Sequence, residues 1–454
     1  MKRPAPTAGA VALGGVFAVL LIAVVLGNRA EPSGELPALA GEPQVTTDDA
    51  RSSAWYCAEG TSDPEGRAAE TVLITNLGSG DVGAAVTVFP GGEAEPTTLE
   101  VTVDAATTLP VPVEEVLATP EPGVLVETFG GDVLVEHQVR SGDDIAVGPC
   151  ASEAATEWYF AGGTTSRGAE LYLVLFNPFG EDASVDVSFV TDTGFTEPER
   201  LQGLTVPRRS RVSVPVHEEV RRRSLVGTAV SARSGRVVAE QSLLLDGSPD
   251  VGGREGLAVS LGASAMAAEW HFPWAGVPGN EGQGVAVANF GTGSAEVTVE
   301  VTLEGDATLA EQTVPVPPRT VVVVELAGRV PDGVEASLTV RATRDVDVVA
   351  EQLAVGARGI ATMVGSTQPA QRWAFATRGR ALALFNPGSE NVGVVLRGAD
   401  GSELDRGEVA AGRRLGVDAG ELDLPANAPI VIDADAPVFV VRVGTLTVSS
   451  GVIG

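Results

Sequence analysis

The chain has 454 residues, with 55 glycines, only 5% aromatics and a formal charge of −30. That length exceeds one ordinary domain and suits about three or four, and so acidic a body repels phosphate, which excludes nucleic acid as a partner. Lys2 is the sole lysine, which excludes Lys–Asn isopeptide staples, Ser–Lys hydrolases and Schiff-base chemistry in the body of the chain.

Residues 1–7 form a short tail carrying Lys2 and Arg3, and residues 8–27 (AGAVALGGVFAVLLIAVVLG) are uncharged and mostly apolar. As a helix those residues rise about 30 Å, the thickness of a bilayer's hydrocarbon core. The basic tail keeps the N-terminus in the cytoplasm and places the body outside, as a single-pass protein of the cytoplasmic membrane. The alternative is a cleaved signal peptide and a secreted body, although the apolar stretch is long for one. Residues 28–53, rich in Pro, Glu, Ala, Thr and Asp, read as a flexible acidic stalk.

From residue 54 onward the sequence repeats four times. Each unit opens on Trp-x-aromatic or its variant: Trp55-Tyr56-Cys57, Trp158-Tyr159-Phe160, Trp270-His271-Phe272 and Trp373-Ala374-Phe375, spaced by 103, 112 and 103 residues. An apolar strand then ends at Asn76, Asn177, Asn289 or Asn386, with Gly78, Gly180, Gly291 or Gly388 close behind. Asn and Gly both tolerate left-handed backbone angles, and Asn bonds its own turn, so this is a hairpin exit. The next strand alternates: Val185, Val187 and Phe189 against Asp186 and Ser188, and Val297, Val299 and Val301 against Thr298 and Glu300. A period of two is a strand with one wet face. Seven or eight short strands per unit predict an all-β chain of four tandem immunoglobulin-like antiparallel sandwiches, at 54–152, 153–265, 266–368 and 369–454. A β-propeller is the alternative, but the period is about twice that of a usual blade.

Aligning the repeats gives the two cysteines a meaning. Cys57 takes the slot of Phe160, Phe272 and Phe375, while Cys150 stands eight residues before Trp158, as Gly262 and Gly365 stand before their tryptophans. A Cys57–Cys150 disulfide is expected in module 1, outside the membrane where oxidation is favoured. In the other modules a Phe ring is expected over a glycine: Phe160 on Gly262, Phe272 on Gly365 and Phe375 on Gly451.

No residue pattern assigns a catalytic, cofactor-binding or metal role. Asp192-Thr193-Gly194 matches the aspartic-protease tripeptide but falls at a hairpin tip, with Phe195 where a small residue belongs. His137 stands where Gln241 and Gln352 stand, His271 where Tyr or Ala stands, and His217 is alone, so no convergent ligand set is visible. Glu136, Glu240 and Glu351 recur at the end of an apolar strand, and a carboxylate so placed reads as a structural hydrogen-bond partner; the fourth module is apolar there, near Val440. Module 2 carries the one basic cluster, Arg208, Arg209, Arg211, Arg221, Arg222 and Arg223. It neutralises acidic neighbours or binds an anionic envelope polymer or headgroup.

The Trp-aromatic start, the Asn-Pro-x-Gly-type turn and the Val-Val-Ala-Glu-Gln strand resemble an uncharacterised actinobacterial family of membrane-anchored, secreted β-repeat proteins. The resemblance runs from about residue 54 to the end and implies an envelope context without an assigned activity. The function expected is therefore that of a non-enzymatic envelope scaffold or interaction protein, partnered by the membrane through its N-terminal helix and by envelope proteins or glycans. Two alternatives stand beside it: a glycan-binding accessory to envelope polysaccharide assembly, and a hydrolase with an inter-module site. Only Trp274 lies outside the repeated tryptophan position, which leans against a sugar-stacking platform.

Overall fold

The computed structural model describes residues 43–454, apart from 48–49, 64, 92–93, 276–283, 306, 327, 332, 344–345, 357–358 and 445–447. The expected tail, membrane helix and most of the stalk lie outside the described residues. Among the described residues no helix is long and apolar enough to cross a membrane.

The chain is all-β. Module 1 holds β1 (Ser53–Cys57), β2 (Ala69–Asn76), β3 (Val82–Phe89), β4 (Thr97–Val103), β5 (Thr107–Pro112), a single helical turn α1 (Val113–Val116), β6 (Gly123–Phe129), β7 (Val133–Ser141) and β8 (Asp144–Pro149). They form two four-stranded antiparallel sheets, ordered β1-β6-β3-β4 and β5-β2-β7-β8. Trp55, Val86 and Val126 from the first sheet and Val72, Ile74 and Val135 from the second are buried in one shared cluster. Both orders recur in modules 2 and 3. In module 4 a single strand, Ile430–Val443, pairs first with Ala370–Phe375 and Val392–Gly398 and then with Ala381–Phe385. It thus serves as both the sixth and the seventh strand of its repeat. Modules 1 to 3 therefore each make two sheets, and in module 4 the shared strand joins the two into one eight-stranded sheet, where a propeller blade would make a single four-stranded one.

The alternating pattern explains which face goes in: Val185, Val187 and Phe189 are buried and Asp186 and Ser188 are not. On the opening strands the tryptophan and the residue two beyond it point inward. All four tryptophans are at most 2% exposed, and the indole N–H of Trp158, Trp270 and Trp373 donates to the carbonyl of Val237, Val348 and Val438. The four asparagines are equally buried and share one geometry. Asn177 Nδ2 donates to the carbonyls of Glu181 and Val206 at 2.8 and 3.0 Å, and its Oδ1 accepts from Phe179 N. Asn76, Asn289 and Asn386 repeat these bonds on their own turns.

The four modules close into a ring. Strand β8 lies against Glu255–Leu261 of module 2, which lies against Gly359–Val364 of module 3; that strand meets Val448–Ser450 of module 4, which returns to β8. In modules 1 to 3 the outward-facing middle residue of the opening strand meets a ring of the next module: Tyr56 and Tyr159 lie tilted against Phe179 and Phe290, and His271 stacks on Phe439. Residues 43–46 fasten the two ends of the chain. Val45 N donates to Ile453 O and Ile453 N to Pro43 O, while Thr46 N donates to Val133 O in module 1.

Candidate functional site

The recurrent glutamates sit on the seventh strand of their repeats, where the sequence register turns them out of their own core and toward the preceding module. Glu240 of module 2 accepts from Ala58 N at 3.2 Å and Glu59 N at 2.7 Å, just past Cys57 in module 1. Glu351 of module 3 accepts from Ala161 N at 3.0 Å and Gly162 N at 2.6 Å, just past Phe160 in module 2, and from Ser260 Oγ. Both are wholly buried. Burial pushes each carboxyl up to about 7, and the backbone N–H groups pull the other way. Glu136 of module 1 faces module 4, where Arg442 Nη1 donates to its Oε2 at 2.8 Å. The apolar counterpart in module 4 is Val441, opposite Ala383 in register and within the stretch expected near Val440. It shares a buried cluster with Trp274 of module 3. One position thus seals all four seams, three with charge and one with apolar surface.

The seam between modules 1 and 2 gathers far more than its glutamate. Cys57 and Cys150 are disulfide-bonded, and the ring nitrogen of His137 and both sulfurs lie within 4.8 Å of one another. His137 Nδ1 stands 3.2 Å from Glu70 Oε1 and its Nε2 3.6 Å from Glu240 Oε2. Burial alone would pull the imidazole down; the carboxylates of Glu240, Glu70 and Glu59 outweigh it and hold it at about 9. Glu70 is itself raised by burial, against the bond from His137. Glu59 accepts from Ser242 Oγ at 3.1 Å and pairs with Arg67, whose guanidinium lies 4.0 Å over the Tyr172 ring. Arg211 reaches in from module 2 and donates to the carbonyls of Ala58, Gly60 and Pro122. Glu59, Glu70, His137, Glu240 and Arg211 are each under 5% exposed. Buried charge on this scale persists only when paired, and here three acids face a histidine and two arginines.

A family model matches residues 128–420, more than half of the chain. The chain belongs to DUF5719, a family of unknown function. The matched DUF5719 segment takes in Glu136, Glu240 and Glu351 and begins after Cys57, Glu59 and Glu70. No curated protein matches the sequence. Among solved structures, Thermotoga maritima 1070 matches at 21% identity and TM-score 0.20, over 22% of this chain and 94% of its own. A Streptomyces avermitilis alpha-L-rhamnosidase matches at 11% and 0.16, over 75% and 46%. The BSP domain of a biofilm associated protein matches at 8% and 0.15, over 93% and 98%. Likenesses at these scores carry no argument about this DUF5719 chain.

The structure separates the basic cluster that the sequence groups together. Arg211 is buried in the seam and holds backbone carbonyls, so it is not part of an anion-binding patch; its place on strand Ser210–Pro215 turns it inward. Arg208 and Arg209 lie exposed at one end of that strand. Arg221, Arg222 and the half-buried Arg223 lie beyond the other end, about 20 Å away at the rise of an extended chain. The remaining candidates have structural partners. Asp192 is exposed and accepts from Ser224 Oγ. His217 Nδ1 lies 3.0 Å from Leu171 O. His271 is held down to about 3 by burial and by Arg341. Trp274 is 3% exposed and unavailable for stacking on a sugar.

The His137 cluster was not legible as a site in the sequence. Its signal was a coincidence: Cys57 and Cys150 are places where module 1 alone departs from the repeat, and His137 stands where modules 2 and 3 both have glutamine.

Proposed function

We propose that this chain is a non-enzymatic scaffold or interaction protein of the cell envelope. It is held outside the cytoplasmic membrane by residues 8–27 and presents the outer faces of its modules to a partner. One observation carries this reading. Glu240 and Glu351, the recurrent carboxylates best placed for repeated chemistry, are wholly buried and committed to backbone amides of the neighbouring module. A residue so engaged is a joint, and a ring of joints is a rigid platform. The large hydrophobics left exposed among the described residues are Leu99 and Phe129, at 38% and 58%, which favours a protein surface over a run of sugar-stacking aromatics.

We also infer that the modules are relatives of the immunoglobulin-like sandwich. The pairings of β2 with β5, β3 with β4 and β3 with β6 correspond to B–E, C–C′ and C–F in that fold. The end strands are exchanged: β1 joins β6 where an immunoglobulin's last strand would lie, and β7 joins β2 where its first would lie. That exchange turns the seventh strand toward the preceding module and so makes the seams.

Crosslinking of the full chain in its native membrane, followed by mass spectrometry, tests the reading. A reproducible extracytoplasmic protein or glycan is expected. Cleavage of envelope polymer by the purified protein would overturn the non-enzymatic assignment, and recovery of the body from the cytosol would overturn its placement.

A further inference from the structure

Three positions change together in module 1. Where module 1 has Cys57, His137 and Cys150, module 2 has Phe160, Gln241 and Gly262, module 3 has Phe272, Gln352 and Gly365, and module 4 has Phe375, Arg442 and Gly451. In the other three modules the Phe ring packs on the glycine, and a Cβ on Gly262, Gly365 or Gly451 would meet that ring at under 3 Å. A disulfide fills this contact with two sulfurs alone and gives no reason for an imidazole beside it. Yet His137 places a ring nitrogen within 4.8 Å of both.

Two sulfurs and an imidazole are a zinc donor set. The surroundings extend the match. Glu70 engages Nδ1 of His137 at 3.2 Å, the carboxylate partner that a metal-ligating histidine takes on its other nitrogen. The second oxygen of Glu70 is buried without a hydrogen-bond partner among the described residues. Glu240 Oε2 lies 3.6 Å from Nε2 and comes from the neighbouring module, where it accepts from Glu59 N at 2.7 Å; it is a carboxylate beside the three-residue cluster rather than a member of it.

We propose that Cys57, Cys150 and His137 form a Zn²⁺ site when the disulfide is reduced, with a water molecule completing the tetrahedron while Glu240 keeps its bonds to the Ala58 and Glu59 amides, so that the seam between modules 1 and 2 has two closed states, one sealed by sulfur and one by metal. A small-molecule or protein dithiol supplies the reduction. Its two thiols pass two electrons and two protons to the Cys57–Cys150 bond, which breaks to two thiols as the reductant closes to its own disulfide. Zn²⁺ then displaces both thiol protons and the proton on His137. With Zn–N and Zn–S bonds of about 2.0 to 2.3 Å, the donors stand about 3.3 to 3.8 Å apart. The imidazole therefore closes on the sulfurs by about an ångström while the sulfurs separate.

The test uses the full chain, reduced with dithiothreitol, desalted anaerobically and titrated with Co²⁺. One equivalent is expected to bind with thiolate-to-cobalt charge-transfer absorption and the strong visible bands of tetrahedral Co²⁺. Stoichiometric Zn²⁺ is expected to bleach both, and the oxidised chain to show neither. His137→Gln, which installs the residue of modules 2 and 3, is expected to weaken Co²⁺ binding roughly tenfold or more. Absence of charge-transfer absorption in the reduced chain would overturn the proposal. So would a His137→Gln variant that binds like the wild type, or a reduced chain that loses its β-sheet circular dichroism and does not regain it with Co²⁺.

Discussion

Arg442 and Glu136 stand 306 residues apart in the chain and 2.8 Å apart in the fold. The same guanidinium nitrogen donates to the carbonyl and hydroxyl of Thr377, and Nη2 donates to Ser449. Both partners are nearly or wholly buried, so the pair locks the last module onto the first and completes the ring.

Removing one member leaves the other charge buried without a counter-ion. Glu136→Ala is expected to destabilise the chain by about 3 to 5 kcal/mol. The double variant Glu136→Gln with Arg442→Met should be the milder of the two. Urea unfolding of both variants beside the wild type checks this. Equal losses would mean that the pair does not hold the seam.

Glu351 makes one seam sensitive to pH. Burial raises its folded pKa to about 7, above the 4.5 of an ordinary glutamate, so the folded state binds the extra proton. Its contribution is complete below pH 4.5 and is lost as pH rises through 7, a change of about 3 kcal/mol. Glu351→Gln keeps the shape without the titration. The wild type is expected to lose stability relative to Glu351→Gln between pH 4.5 and 7, and parallel curves would refute the assignment.

The buried asparagines are turn locks. Asn177→Ala removes two donors and one acceptor, stranding the carbonyl of Val206 in the interior. A loss of about 2 to 3 kcal/mol is expected, and similar losses for Asn76→Ala and Asn289→Ala. Denaturant midpoints for the series measure it. A loss under about 0.5 kcal/mol, typical of a surface position, would refute the role.

The repeat alignment makes one position transferable. In module 1 the Cys57 and Cys150 Cα atoms are 4.7 Å apart, and Phe160 and Gly262 occupy the same places in module 2. The double variant F160C/G262C is expected to form a disulfide in air and, by loop closure, to stabilise by about 4 kcal/mol, less the loss of the buried Phe ring. Peptide mapping without reductant decides it. By contrast, Gly262→Ala alone drives a Cβ to 2.7 Å from the Phe160 ring and should cost about 1 to 3 kcal/mol.

What the sequence determined by itself is what repeats. Period-two alternation, the buried Trp and the Asn-led turn follow from local sterics and backbone bonding, so each unit declares its own strands and turns. The repeat spacing placed Cys57 with Cys150 and Phe160 with Gly262, because equal units put matching residues in matching places. The seams were decided only by the tertiary structure. Glu240 meets Ala58 across 182 residues, and Arg211, indistinguishable from its neighbours in a basic run, is the one that strand register turns inward. A carboxylate's role depends on which module lies against it, and no local pattern encodes that. His137 and Glu70 meet within module 1, and Glu240 joins them only where module 2 packs against it; the burial that results is also what shifted their proton affinities.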